Sequence, residues 1–286
     1  MSPRIVVVGS ANMDLITTVG RRPEPGETVL GSTFATAPGG KGANQAIAAA
    51  RAGGDVAFLG AVGTDGFGKT MSDALSAAGV DITGLRLLDG ASGIASITVD
   101  GTAENSIIVV PGANGEFAGL TAQDRSVVAS ASVLLCQLEI PLATVIEAAR
   151  AAHDAGAFVM LNPSPARELP TELLERVDLL IVNESEAEQI GSHAVEHVVT
   201  TLGAGGARYR GPGGDARASS PEVRVVDTTG AGDAFAGALA VAWAEGGGVV
   251  GWEPSAALRF GCVAGALATR AEGASAPSRV EIEEWR

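Results

Sequence analysis

A series of short, largely apolar runs does most to limit what this chain can become. Arg4–Gly9 (RIVVVG), Val56–Val62, Val133–Leu138, Phe158–Leu161, Leu179–Val182 and Val198–Leu202 read as strands that leave no face for water. Such strands belong to sheets covered on both sides, which favours parallel pairing. Helical patterning fills the intervals at Lys41–Ala52, Thr70–Ala78, Leu142–Ala155 and Leu173–Arg176, and two further helices, Ala234–Glu245 and Ser255–Thr269, close the chain. Strands alternating with helices predict an α/β fold around a mostly parallel sheet. Two stretches break that rhythm. Residues 12–37 are largely extended in character, from 27 onward above all, and residues 93–100 and 105–110 alternate around Asp100-Gly101, a hairpin signal. They predict a small β-sheet lid over the C-terminal ends of the main strands. Gly203–Gly214 reads as loops around a short hairpin. A length of 286 residues suits one domain, 1–286, carrying that lid.

Charge removes whole classes of partner. With 19 basic and 33 acidic residues the formal charge is −14, so phosphate backbones and anionic membranes are repelled. Aromatic residues are 4% of the chain, too few for a platform that stacks single strands. No run reaches the roughly 18 apolar residues of a membrane span, and Ile5–Val8 is too short for the core of a signal peptide. Cys136 and Cys262 both sit in apolar runs and read as buried thiols of a reducing compartment. The expectation is a cytoplasmic protein with no nucleic-acid or membrane partner.

Chemistry concentrates in glycine turns. The apolar, strand-like Val223–Val226 leads into Asp227-Thr228-Thr229-Gly230-Ala231-Gly232-Asp233, and a helix pattern follows at once. A glycine turn at a helix start gathers N–H groups that hold an anion. A carboxylate at that point, Asp233, suits a base that takes a proton from a hydroxyl attacking a phosphoryl group; an ordinary helix cap is the competing explanation. Asn12 and Asp14 follow the first strand, where parallel sheets meet their ligands, although an Asx turn would use the same residues. Gly39-Gly40-Lys41-Gly42 opens a helix with Asn44 about one turn along, and allows close approach to a ligand beside a positive charge. Gln137 and Glu139 end a strand on one side of it. Asn183 and Glu186 have the spacing of a capping box, or of a carboxylate ordering the water of a hydrated Mg2+. Thr201, Gly203 and Gly206 could cradle a nucleotide or simply turn the chain. Gly63–Thr70 fits the phosphate-loop pattern and lies between a strand and a helix, so a P-loop NTPase is a competitor. No apolar strand ending in Asp follows it to hold Mg2+.

Taken together, GSANMD, GGKGANQA, the QLE strand end, NPSPAREL, NESEAE, TLGAGG and DTTGAGDAFAGAL resemble the ribokinase-type family of carbohydrate and nucleoside kinases over nearly the whole chain. The resemblance implies a Rossmann-like αβα sandwich whose lid also serves as a homodimer clasp. It implies an ATP-dependent sugar kinase that phosphorylates the 5-hydroxyl of D-ribose, with another sugar or a nucleoside as the alternative acceptor, and a non-catalytic sugar-binding protein as a remoter one. Asp233 would be the general base, and the N–H groups of Gly230, Ala231 and Gly232 the anion hole. Asn12 and Asp14, with Gly40, Lys41, Asn44 and Glu139, would hold the sugar. Asn183, Thr201, Gly203, Gly206 and Gly232 would lie along ATP. Glu186 would serve Mg2+ through water, and Asp227 with Thr229 would bind K+ or another monovalent cation. The chain departs from the family pattern in a short connection, residues 187–198, in Cys262 where a His near adenine is common, and in the C-terminal GASAPS.

Overall fold

A computed structural model of the chain describes residues 3–102, 104–190, 195–212, 214–246 and 253–285. In chain order the elements are β1 (Arg4–Val8), β2 (Asn12–Val19), β3 (Gly31–Gly39), α1 (Lys41–Arg51), β4 (Asp55–Gly63), α2 (Gly66–Ala77) and β5 (Asp81–Leu88). There follow β6 (Gly93–Val99), β7 (Asn105–Val110), α3 (Ala122–Ala129), β8 (Val133–Cys136), α4 (Leu142–Asp154), β9 (Phe158–Leu161) and α5 (Thr171–Leu174). The rest are β10 (Leu179–Asn183), α6 (Glu184–Ile190), β11 (His197–Thr201), β12 (Ala207–Gly211), β13 (Gly214–Ala218), α7 (Ala231–Glu245), α8 (Pro254–Ala268) and α9 (Arg279–Glu284).

The large sheet has the order β13-β12-β11-β10-β9-β8-β1-β4-β5. It is parallel from β11 to β5, and the β12–β13 hairpin adds the antiparallel edge. The alternation of the apolar runs divides the core. Ile5 and Val7 of β1 pack with residues of α1, α7 and α8, whereas Val6 and Val8 pack on the α4 side. Period-two geometry makes that division unavoidable once both faces carry helices. Gly237 lets α7 lie against α1, since a Cβ there would come within 2.6 Å of Gln45 O. That close approach sets the start of α7 beside Asn44 and Gln45.

A second, four-stranded sheet has the order β3-β2-β6-β7, with β2 and β6 parallel. Its outer surface is apolar and open: Phe34 is 67% exposed and Ile108 68%.

Several elements differ from the sequence expectation. Val223–Val226 is irregular chain with Val225 and Val226 exposed. Its N–H groups find no strand partner because the end of α8 supplies the acceptor: Val226 N and Asp227 N both donate to Thr269 O. β5 was not foreseen, because an edge strand with Gly84 at its centre carries little pattern; the glycine lies over Leu59, where a Cβ would come within 2.4 Å. α2 begins at Gly66 instead of Thr70, since Asp65 caps it by accepting from Gly68 N at 2.8 Å. The helix expected at 173–176 is displaced to Thr171–Leu174. Two helices absent from the expectation, α3 and α9, both open with capping boxes, Thr121/Asp124 and Ser278/Glu281. α9, not α8, closes the chain. Residues 27–30 precede β3 without joining it. Within the short connection 187–198, residues 191–194 lie outside the described residues.

Candidate active site

The carboxylate of Asp233 sits in the first turn of α7 and is 8% exposed. Gly230 precedes the helix with φ 75°, a left-handed conformation that glycine adopts without strain. The two amides of α1 meet this carboxylate. Asn44 Nδ2 donates to Asp233 Oδ2 at 3.1 Å, and Gln45 Nε2 donates to Oδ1 at 2.9 Å. Burial pushes the Asp233 carboxyl above its ordinary range; the Lys41 charge and both amide bonds oppose this, and Glu139 adds to it. Among the anion-hole candidates, Ala231 N already makes a long turn bond to Thr228 O, 3.3 Å.

Facing Asp233 are two more carboxylates on different bodies of the fold. Glu139 follows β8, and its Oε2 accepts from Ser10 Oγ at 2.5 Å and Lys41 N at 3.0 Å. Asp14 projects from β2 of the small sheet onto Gly39, whose missing side chain gives it room. Burial, then the charges of Glu139 and Asp233, raise its pKa to about 6. Gly40, at φ 90°, lies so close to Asn12 N that a Cβ would come within 2.6 Å. Asn12 itself is buried, and its Oδ1 accepts from Asn114 Nδ2 at 2.7 Å. Asn114 also bridges Ala11 N and Ala11 O, both at 2.9 Å, so it fixes the loop that carries Asn12. Neither Asn114 nor Ser10 was singled out in the sequence, where Pro-Gly-Ala-Asn looks like any turn.

On the far side of Asp233 two cavities adjoin. A polar one of about 160 Å³ is lined by Lys41, Asn183, Glu186, Thr201, Gly232 and Asp233. Thr201 and Gly232 also line a larger one of about 550 Å³, whose walls include Gly203, Gly206, Phe235 and Cys262. The chain therefore offers a polar passage between the carboxylates and a roomy, mainly apolar chamber. Asn183 and Glu186 form a reciprocal cap: Asn183 N donates to Glu186 Oε2 at 2.9 Å, and Glu186 N to Asn183 Oδ1 at 2.8 Å. This leaves the other Glu186 oxygen without a bonded donor among the described residues, in a polar cavity, a donor set that suits an ion retaining its water. Asp227 Oδ1 accepts from Thr229 N and Oγ1, and Oδ2 accepts from Gly273 N at 2.8 Å. Burial works against the charge of Asp227, but these N–H groups outweigh it and hold the carboxyl below its usual range. Asp227 thus joins the turn before α7 to the C-terminal loop. A persistently anionic oxygen pair at such a junction fits a monovalent cation.

Gly63–Thr70 does not form a phosphate cradle. Asp65 fills the mouth of the turn, accepting from Gly68 N and from Ser92 N and Oγ. Gly63 N is taken by Ser92 Oγ and Thr64 N by Gly90 O. Lys69 points to solvent and pairs with Asp73 at 2.6 Å. With Gly63, Thr64 and Gly68 already donating to Ser92, Gly90 and Asp65, and with a carboxylate in its mouth, the turn is ill suited to an anion.

Comparison with known proteins gives a consistent result. The model of the pfkB family carbohydrate kinases matches residues 2–281. A ribokinase of Haemophilus influenzae is 37% identical over 309 aligned residues, covering 100% of this chain and 99% of its own. One from Bacillus subtilis is 39% identical, covering 98% of each. Among solved structures, Arabidopsis thaliana ribokinase complexed with ribose and ATP superposes with a TM-score of 0.91 at 34% identity, over 99% of this chain and 98% of that one. A Cryptococcus neoformans ribokinase in complex with ADP gives 0.84 at 29% identity, with full coverage of both.

Proposed function

The chain belongs to the pfkB family of carbohydrate kinases, with a ribokinase-like α/β fold, and on that premise we propose that it transfers the γ-phosphoryl group of ATP to the 5-hydroxyl of D-ribose. The observation that carries this reading is the position of Asp233, between a cluster of hydroxyl-accepting carboxylates and a polar passage to the large chamber.

The sugar lies against Asp14 and Glu139, which accept from its hydroxyls, and against Gly40, Lys41 and Asn44. Asp233 takes the proton of the 5-hydroxyl as that oxygen bonds to the γ-phosphorus. The bond from that phosphorus to the bridging oxygen breaks, and ADP leaves with the electron pair. The N–H groups at the start of α7, with the helix dipole, hold the charge on the transferring group. Ala231 must give up its turn bond to join them. Asn183, Thr201, Gly203 and Gly206 line the path of the nucleotide. Mg2+ near Glu186 would neutralise phosphate charge. An ADP-release assay across pentoses, hexoses and nucleosides tests the assignment. D-ribose should give the highest kcat/KM; a better hexose or nucleoside would move the enzyme elsewhere in its family, and no turnover with any acceptor would favour a silent binding protein.

Titration of Asp14 gives a second check. Because its pKa is raised to about 6, it becomes an acid as pH falls through that value and loses acceptor strength. kcat/KM for the sugar should therefore drop below pH 6, and Asp14→Asn should lessen that drop, leaving the limb that Asp233 contributes. A profile unchanged by the substitution would remove Asp14 from the sugar site.

The Asp227–Thr229 turn is our candidate for a K+ site. A cation there would steady the backbone before α7 without touching substrate. Activity should rise when K+ replaces tetramethylammonium at equal ionic strength; a flat response would dismiss the site.

The small sheet is our candidate for a lid and homodimer clasp. Phe34, Ile107 and Ile108 stand exposed on it, with Leu30 exposed just before β3, and such patches mark interfaces. Light scattering at micromolar concentration should give twice the chain mass; a monomer with and without ribose would refute the clasp.

A further inference from the structure

Gln45 follows Asn44 on α1 and is fully buried. Its Nε2 donates to Asp233 Oδ1 at 2.9 Å and to Asn162 Oδ1 at 3.0 Å, and its Oε1 accepts from Gln137 Nε2 at 2.6 Å. A side-chain amide has two N–H donors and one carbonyl oxygen, and all are engaged here. Turning it over would set its oxygen against a carboxylate and a carbonyl, and its nitrogen against another donor. The neighbours are fixed in turn. Asn162, just beyond β9, donates through Nδ2 to Ile181 O of β10 at 2.9 Å. Gln137, just beyond β8, is fully buried. Its Oε1 has no hydrogen-bond partner among the described residues, and it fills the space over Gly9, where a Cβ would come within 2.1 Å. The ends of β8, β9 and β10 therefore decide which way the amide of Gln45 points.

We propose that Gln45, locked by Gln137 and Asn162, is the positioning residue of the general base: it holds Oδ1 of Asp233 from one fixed direction while Asn44 donates to Oδ2, and so sets how the carboxylate is turned toward the acceptor hydroxyl. The proposal rests on the reading of Asp233 as the base. A donated hydrogen bond favours the ionised carboxylate, so Gln45 also offsets the burial that would protonate it. The charged groups that face Asp233 are Lys41 of α1, Glu139 beyond β8 and Asp14 of β2, and none of them is removed by changing Gln45.

The test is a kcat–pH profile of Gln45→Leu and Gln137→Leu, with sugar KM and Tm alongside. Loss of one hydrogen bond to a charged group predicts a fall in kcat of roughly 10- to 100-fold for Gln45→Leu. KM should stay within about threefold. The acidic limb should move upward by about one pH unit, because the anion has lost a donor. Gln137→Leu keeps both donors of Gln45 but frees its amide to turn, so it should shift the same limb in the same direction by less. A merely structural role would lower Tm and leave the limb in place. A folded Gln45→Leu with kcat within twofold of the parent, or with an unmoved limb, would overturn the proposal. Should Gln45→Leu not fold, the limb of Gln137→Leu decides by the same criterion. Asp233→Asn run in parallel separates the two ideas. If it is active, the base assignment fails; if it is inactive while Gln45→Leu is normal, only the positioning role fails.

Discussion

Asp233→Asn should lower kcat by ~10²–10⁴-fold, the usual worth of a general base, while calorimetry still detects ribose binding. The substitution preserves shape and keeps one acceptor oxygen for an amide of α1, so the fold has little reason to move. What it removes is the group that can accept a proton. The new amide also presents N–H groups to Asn44 or Gln45, which donate in the parent at 3.1 and 2.9 Å. Some loss of stability should therefore accompany the loss of rate, and a melting curve separates the two. Turnover within a few-fold of the parent would end the assignment of Asp233 as base.

Gly230→Val should be nearly as damaging for a different reason. The backbone at φ 75° disfavours any side chain, and a Cβ would come within 2.8 Å of Ala274 Cα and 2.9 Å of Ala274 Cβ. Either the turn unwinds or the C-terminal loop is displaced. Both outcomes move the first N–H groups of α7, and loss of an anion-hole donor costs about 10²–10³-fold in kcat. Gly66→Ala is the control: a Cβ there meets nothing within 4 Å, and activity should be unchanged. A Gly230→Val enzyme with kcat within threefold of the parent would show that the start of α7 does not carry transition-state charge.

Where burial leaves a periodic trace, the sequence was readable. The runs at Arg4–Val8, Val133–Cys136 and Leu179–Asn183 are strands of the large sheet, because a strand buried on both faces has to be apolar throughout. The hairpin signal at Asp100-Gly101 does join β6 to β7, although Ala103 lies outside the described residues. β5 escaped because an edge strand has no such demand, and Val223–Val226 misled because apolar residues also line cavities. α3 and α9 were missed: each is too short to show a helical period, and their capping boxes were recognised only in the structure. For the site, glycine clusters were the usable signal: Gly39, Gly40, Gly42 and Gly230 are positions where a Cβ would collide with a neighbour. Gln45, Ser10 and Asn114 were not readable, because a buried amide or hydroxyl acquires meaning only through partners up to 188 positions away.

Asp14 belongs to the small sheet, whereas Glu139 and Asp233 belong to the large one, and like charge across that seam is part of what raises the Asp14 pKa. With no acceptor present, the charges of Glu139 and Asp233 face Asp14 across that seam. A polyol changes the sign of that contact, because each hydroxyl can donate to a carboxylate on either side. On the proposed sugar site, the molecule to be phosphorylated would serve as the mortar between the two sheets. Part of its binding energy would then be spent at that seam and withheld from apparent affinity. Acceptors with fewer hydroxyls to share across the seam would be poorer substrates even if they reached Asp233, since the joint that aligns them would stay loose.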